Sequence, residues 1–594
     1  MKRWIKRLAL GLLGIIVVAG LGAWLALRAS LPQLDGELAL AGLSAPVTVQ
    51  RDANGVVTID ARNDADAMRA LGYVHAQERY FEMDLLRRSA AGELSALFGE
   101  RAVEYDTARR QHRLRARTLA RIDAMTGPKR AQLKAYTEGV NAGLAALDAR
   151  PWPYLLLRKT PAPWTEVDAV LAGYAMYFDL QDSANRDELA WWRASPHLPA
   201  PLRDLLRRDG TRWDAPLFGE ARGDAVLPGP DAIDLRRLPM PKQADLERVA
   251  DDIVPGSNNF AVAGAITADG RAIVANDMHL GLRAPNIWFR ARLRYADPDA
   301  PGGRVDVIGF TLPGLPAVIT GSNTYVAWGF TNSYVDTSDW RVDVPCGKTP
   351  APGCARTTTH REQIEVAGGA PVTIDVVETD WGPVLHREQD GRMLSLRWNA
   401  HLDGALGFGI TEMVHARTLD EALAIADRVA VPTQNLVIAD RNGRIAWRLL
   451  GPLGQRAATC DPSRPSLDGT CPAWALATHR SPTLIDPANH RLWTANNRLL
   501  DADALAQVGD GGYAFGARAR QIRDGLLARE RLDERALLAI QLDDRALLVR
   551  EWWSLLQAEA RRGGALAELA AASKAAPERA SIDSVSYRIT RAWR

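Results

Sequence analysis

The stretch Pro255-Gly256-Ser257-Asn258-Asn259-Phe260-Ala261-Val262 puts a serine directly after a glycine at the mouth of an apolar run. Glycine tolerates backbone geometry that is costly for other residues, so the Ser257 hydroxyl can turn back onto the Gly256 carbonyl. Attack there gives an ester by N-to-O acyl shift, and hydrolysis of the ester frees the Ser257 amine. An α-amine has a pKa of about 7.7–8, so near neutral pH it can act as base for its own hydroxyl, a one-residue form of the activated nucleophile. The expected chemistry is acyl transfer that begins only after a cut between Gly256 and Ser257. Other hydrolytic patterns are missing: no serine sits in a G-x-S-x-G elbow and no H-E-x-x-H zinc helix occurs.

Positioning such a nucleophile requires strands, and the sequence turns to strand pattern at Ser257. Asn258 to Ala265 alternates, Asp269-Gly270 makes a hairpin turn, and Ala272 to Ala275 runs back. Further strands are predicted around Val305 to Phe310, Ala317 to Thr320 and Tyr325 to Phe330, with helices again from about Arg518 to Ala575. Upstream, Val47 to Ile59 reads as strand around an Asn54-Gly55 turn. A helix is predicted from about Asp64 to Leu97, because Met83, Leu86, Ala90, Leu94 and Leu97 step by three and four. More helix is expected through Leu147 and near Ala169 to Trp192. Between Arg207 and Asp252 no periodicity survives among alternating prolines, glycines and charges, as in a linker or removable spacer.

The 594 residues exceed one ordinary domain, and 47% hydrophobic against 24% charged side chains suits a large buried core. A formal net charge of +2 argues against nucleic acid as a partner. The 18 tryptophans suit core filling or the wall of an apolar pocket. Lys2, Arg3, Lys6 and Arg7 precede an uncharged run from Leu8 to Leu27. At about 1.5 Å per residue such a helix can cross a hydrocarbon core of about 30 Å, with its basic end left in the cytoplasm. Residues 1–30 are therefore a signal peptide or an anchor, the length favouring the anchor slightly, and the rest is expected in the periplasm. Cys346 with Cys354, and Cys460 with Cys471, form two close pairs without C-x-x-C spacing, as expected of small disulfide loops in an oxidising compartment.

The Gly-Ser-Asn-Asn-aromatic-Ala-Val stretch after an irregular spacer resembles the penicillin acylase family of N-terminal-nucleophile hydrolases. Four more ordered blocks carry the likeness: Gly72-Tyr73-Val74-His75-Ala76-Gln77-Glu78-Arg79 with Arg87-Arg88 and Gly92; Asn276-Asp277-Met278-His279-Leu280; Leu312-Pro313-Gly314-Leu315-Pro316 with Trp328 to Asn332 and Asp336-Thr337-Ser338-Asp339; and Trp493-Thr494-Ala495-Asn496-Asn497-Arg498. The resemblance implies an α+β fold, an αββα sandwich with an additional helical region. It also implies an α-chain region over 31–206, a spacer over 207–256 expected to be removed, and a β-chain over 257–594. The family pattern continues past Arg594 by roughly a domain's length, on the order of 100–200 residues, so the β-chain is expected to be incomplete.

Residue by residue, the resemblance implies Ser257 as nucleophile and, through its amine, as base. The Asn332 backbone N–H and the Asn496 side-chain amide would form the oxyanion hole, two donors aimed at one oxygen. Arg518 would sit near the amine and hold it neutral, and His279 would bond near the nucleophile. Gln77 and Leu280 would touch substrate. Asp336, Ser338 and Asp339 resemble the ligands of one structural Ca²⁺ per heterodimer, completed from the α segment by Asn185 or Glu188 where relatives offer a glutamate. The implied function is hydrolysis of a small-molecule non-peptide amide such as an N-acyl β-lactam. The alternatives are an acyl-homoserine-lactone acylase and an inactive, membrane-tethered binding homologue.

Overall fold

A computed structural model describes residues 2–207, 210–237, 256–347, 354–458, 460, 471–479 and 481–594. The expected spacer residues 238–255, Pro255 included, lie outside the described residues.

Two facing sheets carry the site. The larger has nine strands in the order Thr48–Arg51, Val57–Asp60, Phe289–Ala296, Arg304–Thr311, Val318–Ser322, Val326–Asn332, Gln434–Asp440, Ile445–Leu450 and Thr483–Ile485. The smaller places the strand Gly256–Val262, which carries Ser257, between Arg491–Thr494 and Ile273–His279, antiparallel to both. Successive side chains on a strand point to opposite faces, and this register sorts them cleanly. Ala261 joins Val437, Ala439, Trp447 and Leu492 between the sheets. Phe260 and Val262 face outward onto Ile522, Leu526, Leu537 and Ile540 of helices Ala517–Leu527 and Glu534–Gln541. On the far side, helices Asp64–Ala91, Arg130–Ala145 and Leu419–Ala426 cover the nine-stranded sheet. The layers are therefore α, β, β, α.

The helix beginning at Asp64 ends sooner than its periodicity predicts. Asn63 caps its start by accepting from the Asp66 N–H, and Gly92 ends it in the left-handed region at φ 67°, the conformation in which glycine most often stops a helix. Leu94 and Leu97 therefore lie beyond this helix, Leu97 in a separate short turn, Ser95–Phe98. Within it Gly72 meets the helix Arg130–Ala145 so closely that a Cβ would lie 2.2 Å from the Tyr136 carbonyl oxygen. The expected helical stretch after Arg518 is likewise divided, into Ala517–Leu527, Glu534–Gln541, Leu547–Ala560 and Ala565–Ala572.

A second core surrounds the long helix Glu166–Ala194, which opens with a capping box between Thr165 and Asp168. It packs against Trp340, Leu396 and Trp398 of the sheet formed by Val384–Arg387, Met393–Trp398 and Ser338–Asp343. At the N-terminus, Lys2–Ala29 is one helix. Its span Arg3–Ala29 has a mean hydropathy of 2.4 in its most apolar window and no burial, so by length and composition it could cross a membrane. Cys346–Cys354 and Cys460–Cys471 are disulfide-bonded.

The first part of the expected spacer is not loose. Ala215 is fully buried, and its carbonyl accepts from Trp493 Nε1 at 2.9 Å and Asn497 Nδ2 at 3.1 Å. Asp214 forms a buried ion pair with Arg498 at 3.0 Å. The N–H groups of Leu217 and Phe218 both donate to the Leu499 carbonyl. Residues 214–218 thus pack on the segment Trp493–Leu499, which periodicity could not reveal because they are extended and irregular.

Candidate active site

Ser257 is the second residue of its strand and only 3% exposed. Its backbone N–H donates to Asn496 Oδ1 at 2.8 Å. Arg518 grips the same place: Nη2 donates to Asn496 Oδ1 at 3.0 Å, and Nη1 to the Ser257 carbonyl at 3.0 Å and to Asn258 Oδ1 at 2.8 Å. Two donors on Oδ1 fix the orientation of the Asn496 amide, which leaves Nδ2 to donate to the Asn332 carbonyl at 2.9 Å. The strand Arg491–Thr494 delivers Asn496 here by ending in a left-handed residue, Asn496 itself at φ 67°. Asparagine tolerates that region better than most side chains. The Ala215 carbonyl, bonded by Trp493 and Asn497, and the Asp214–Arg498 pair brace the turn from behind.

The structure thus joins four expected residues, Ser257, Asn332, Asn496 and Arg518, in one hydrogen-bonded group. One detail differs from expectation. Asn496 meets Asn332 through the Asn332 carbonyl, and the Asn332 side chain is held elsewhere, donating to the Leu180 carbonyl at 2.6 Å. His279 lies opposite Gly256 in the strand register, and a Cβ on Gly256 would stand 2.4 Å from its Nε2. The ring covers the Gly256 backbone, while its Nδ1 lies 3.5 Å from Asp277. Bonding to His279 holds the Asp277 carboxyl below its usual range.

A cavity of about 110 Å³ opens on Ser257 and is lined almost entirely by apolar side chains, among them Met176, Leu180, Leu280, Leu312, Leu315, Ile319, Phe330 and Ile410. Leu280, which the resemblance implied would touch substrate, is part of this lining. Gly173, on the helix Glu166–Ala194, also lines this wall, and a Cβ there would stand 2.9 Å from Leu406. Gln434 adds one polar side chain. Sequence reasoning missed Gly173, Trp288 and Gln434, because they come from three distant segments and only the fold assembles them.

Gln77 is not part of this cavity. Its Nε2 donates to the Gly143 carbonyl at 2.7 Å and its Oε1 accepts from the Gln33 N–H at 3.2 Å. The amide fastens the N-terminal segment to two helices and lines a separate cavity with Tyr73 and Val74. The neighbouring His75 is likewise structural. Burial pushes its pKa down to about 3, and the neutral ring bonds Tyr136 and Thr311.

The expected calcium loop contains a different cation. Arg456 Nε donates to Asp339 Oδ2 at 2.8 Å and Nη2 approaches Asp336 Oδ2 at 3.0 Å. Glu188 lies close enough to both aspartates that burial and their charges push its pKa well up. Burial likewise raises Asp336 and Asp339, against the pull of Arg456. Asn185 Nδ2 donates to Asp182 at 2.8 Å, and its backbone carbonyl is taken by Trp340 Nε1 at 2.7 Å. With a guanidinium already on both carboxylates, the donor set does not fit Ca²⁺, which needs six to eight oxygens at about 2.3–2.6 Å. A lone arginine in an irregular loop gave no sequence signal of this contact.

An αββα sandwich with a serine at the start of an inner strand, backed by an asparagine and an arginine, defines an N-terminal-nucleophile fold. The chain belongs to the penicillin amidase family, whose model matches residues 46–594. It is 32% identical over 510 residues to the penicillin acylase 2 proenzyme of Pseudomonas sp. (strain SE83), covering 80% of this chain and 62% of that protein. It is 27% identical over 603 residues to an acyl-homoserine lactone acylase of Pseudomonas aeruginosa, covering 95% of this chain and 68% of that one. The thermostable penicillin G acylase of Alcaligenes faecalis matches 53% of this chain and 58% of its own at 20% identity and a TM-score of 0.42. The chain thus spans about three fifths of the length of the first of these relatives.

Proposed function

We propose that this chain is a self-cleaving amidohydrolase that removes an aliphatic acyl group from a small-molecule amine. The observation that carries this reading is the apolar cavity opening directly on Ser257, whose backbone nitrogen is held by Asn496 and flanked by the Arg518 guanidinium. In maturation, Ser257 Oγ attacks the Gly256 carbonyl carbon, the C–N bond breaks, and the nitrogen takes up the hydroxyl proton. Water then hydrolyses the ester, leaving a Gly256 carboxylate and a free Ser257 amine and hydroxyl. The relative from Pseudomonas sp. is named a proenzyme, which agrees with a precursor that yields α and β chains.

In turnover, the amine takes the proton from Oγ as Oγ attacks the substrate carbonyl, then passes it to the leaving amine. Asn496 Nδ2 is the donor for the oxyanion. Because the Asn332 carbonyl holds it in the uncut chain, the oxyanion must take that carbonyl's place. The amine keeps Asn496 Oδ1 as an acceptor, which directs one N–H away and leaves the lone pair for the hydroxyl. Each methylene buried in the cavity contributes about 0.8 kcal/mol, so the aliphatic lining favours acyl chains over polar acids. Among the relatives' named substrates, an acyl homoserine lactone and a penicillin share this amide but differ in the amine.

The basic flank and apolar helix at the N-terminus suit export, with the catalytic part periplasmic and either released or held at the inner membrane. N-terminal sequencing of the separated chains tests the processing step, with a β-chain beginning at Ser257 expected. A Ser257→Ala variant that still splits would refute the nucleophile. Hydrolysis of acyl homoserine lactones and acyl β-lactams of graded chain length tests the substrate class. A protein that stays uncut and hydrolyses none of them would be the inactive binding homologue.

A further inference from the structure

We infer that Arg456 is a built-in replacement for a divalent cation, and that the Asp336–Asp339 loop needs no metal. Its guanidinium reaches the oxygens a calcium ion would use there. Nε and Nη2 engage the Asp339 and Asp336 carboxylates, while Nη1 donates to the Asp336 carbonyl at 3.3 Å and Nη2 to the Ser338 carbonyl at 3.4 Å. One planar cation thus hydrogen-bonds one carboxylate and two carbonyls and forms an ion pair with the second carboxylate, whose Oδ2 accepts no hydrogen bond, through a fork of fixed shape.

The guanidinium is itself held. Its plane lies over Trp474 at 5.0 Å, and Trp474 Nε1 donates to the same Asp339 Oδ2 at 2.5 Å. Arg456 is 11% exposed, against 7% for each aspartate side chain. A calcium ion could enter only by displacing the guanidinium, and arginine does not deprotonate to make way. The loop bridges the end of helix Ala502–Val508 and the long helix Glu166–Ala194. Asp336 N–H donates to the Val508 carbonyl, and the strand that follows presents Trp340 to Asn185 of the long helix. A cation tethered through the backbone holds that junction through any change in free calcium.

The test uses the full-length purified chain. Metal content by inductively coupled plasma mass spectrometry is expected far below one calcium per chain, and the melting temperature is expected to be the same in EDTA and in millimolar CaCl₂. Arg456→Met, which keeps the length and removes the charge, is expected to lower Tm by several degrees, because it leaves two buried carboxylates uncompensated. Arg456→Lys is expected to recover part of that loss. Stoichiometric calcium in the wild-type protein, or a wild-type Tm that falls in EDTA and returns with CaCl₂, would overturn the inference. So would an Arg456→Met protein as stable as wild type. If the variants do not fold, the wild-type chelation and metal measurements decide alone.

Discussion

The pKa of the Ser257 amine in the matured protein should depend on Arg518. Both the Ser257 nitrogen and Arg518 Nη2 bond Asn496 Oδ1, at 2.8 and 3.0 Å, so the two nitrogens lie within about 6 Å of each other. At that separation, two unit charges repel by about 3 kcal/mol at an effective dielectric of 20, and by half that at 40. The repulsion disfavours the protonated amine and lowers its pKa by about one to two units. Asp277 offsets part of the guanidinium's charge, which favours the lower end. From a reference of about 7.7–8, the amine then titrates near 6–7. The enzyme needs it neutral, so activity falls as pH drops through that value. Removing the charge raises the pKa and moves the acidic limb of kcat/KM to higher pH. For Arg518→Met the limb should shift up by about one unit or more, costing roughly tenfold at pH 6 and little at pH 9. Arg518→Lys should keep the wild-type limb. The assay is a pH profile of kcat/KM on an acyl anilide, normalised to chains that carry a free Ser257 by mass spectrometry. An Arg518→Met profile with its acidic limb unmoved would refute the electrostatic role, whatever the loss in rate.

Three further outcomes follow from the geometry. Gly173→Ala adds a methyl group to the cavity wall beside Leu406, so kcat/KM for the longest accepted acyl chain should fall about fourfold for each methylene displaced; a chain-length series should show short acyl groups unaffected. Gly256→Ala drives a Cβ to 2.4 Å from His279 Nε2 and should slow self-cleavage, and adding His279→Ala should restore much of the rate on a time course of splitting, since the obstacle is one half-exposed ring. The matured α-chain should end beyond Arg222, because Asp214 and Ala215 brace the turn that carries Asn496; intact-mass measurement of the separated α-chain reads this directly, and an end before Thr211 would contradict it.

How much of this was legible depended on whether the signal was local. The nucleophile strand, its hairpin partner and the strands through Asn332 follow from alternation and an Asp-Gly turn, all within reach of a short window of sequence. Ser257 and Asn496 lie within the ordered blocks, and Arg518 was assigned through the resemblance those blocks carry. Their meeting depends on pairings between segments more than two hundred residues apart, such as Arg491–Thr494 with Gly256–Val262. Two features left no trace in periodicity. The segment around Ala215 is extended and rich in turns, so its sequence looks like a spacer although the Ala215 carbonyl and the Leu217 and Phe218 N–H groups bond the segment Trp493–Leu499. Arg456 is one arginine among many, and its role exists only because the fold brings two aspartates onto it.

Those two features bear on the same problem, which is how the proposed cut before Ser257 would leave the site intact. Such a cut would free Ser257 from the chain before it, and the strand would then be fixed only by its neighbours. On one side the neighbour is the Arg491–Thr494 strand with its Asn496 turn, which Asp214, Ala215, Leu217 and Phe218 clamp from the α-chain side of the cut. On the other it is the strand Ile273–His279, while in the facing sheet the loop after Asn332 is held by Arg456 on Asp336 and Asp339. Asn332 and Asn496 are bonded to each other across the site, so a slip in either support would move both. A cation supplied by a side chain suits such a junction, because its hold does not depend on what the solvent contains at the moment of the cut.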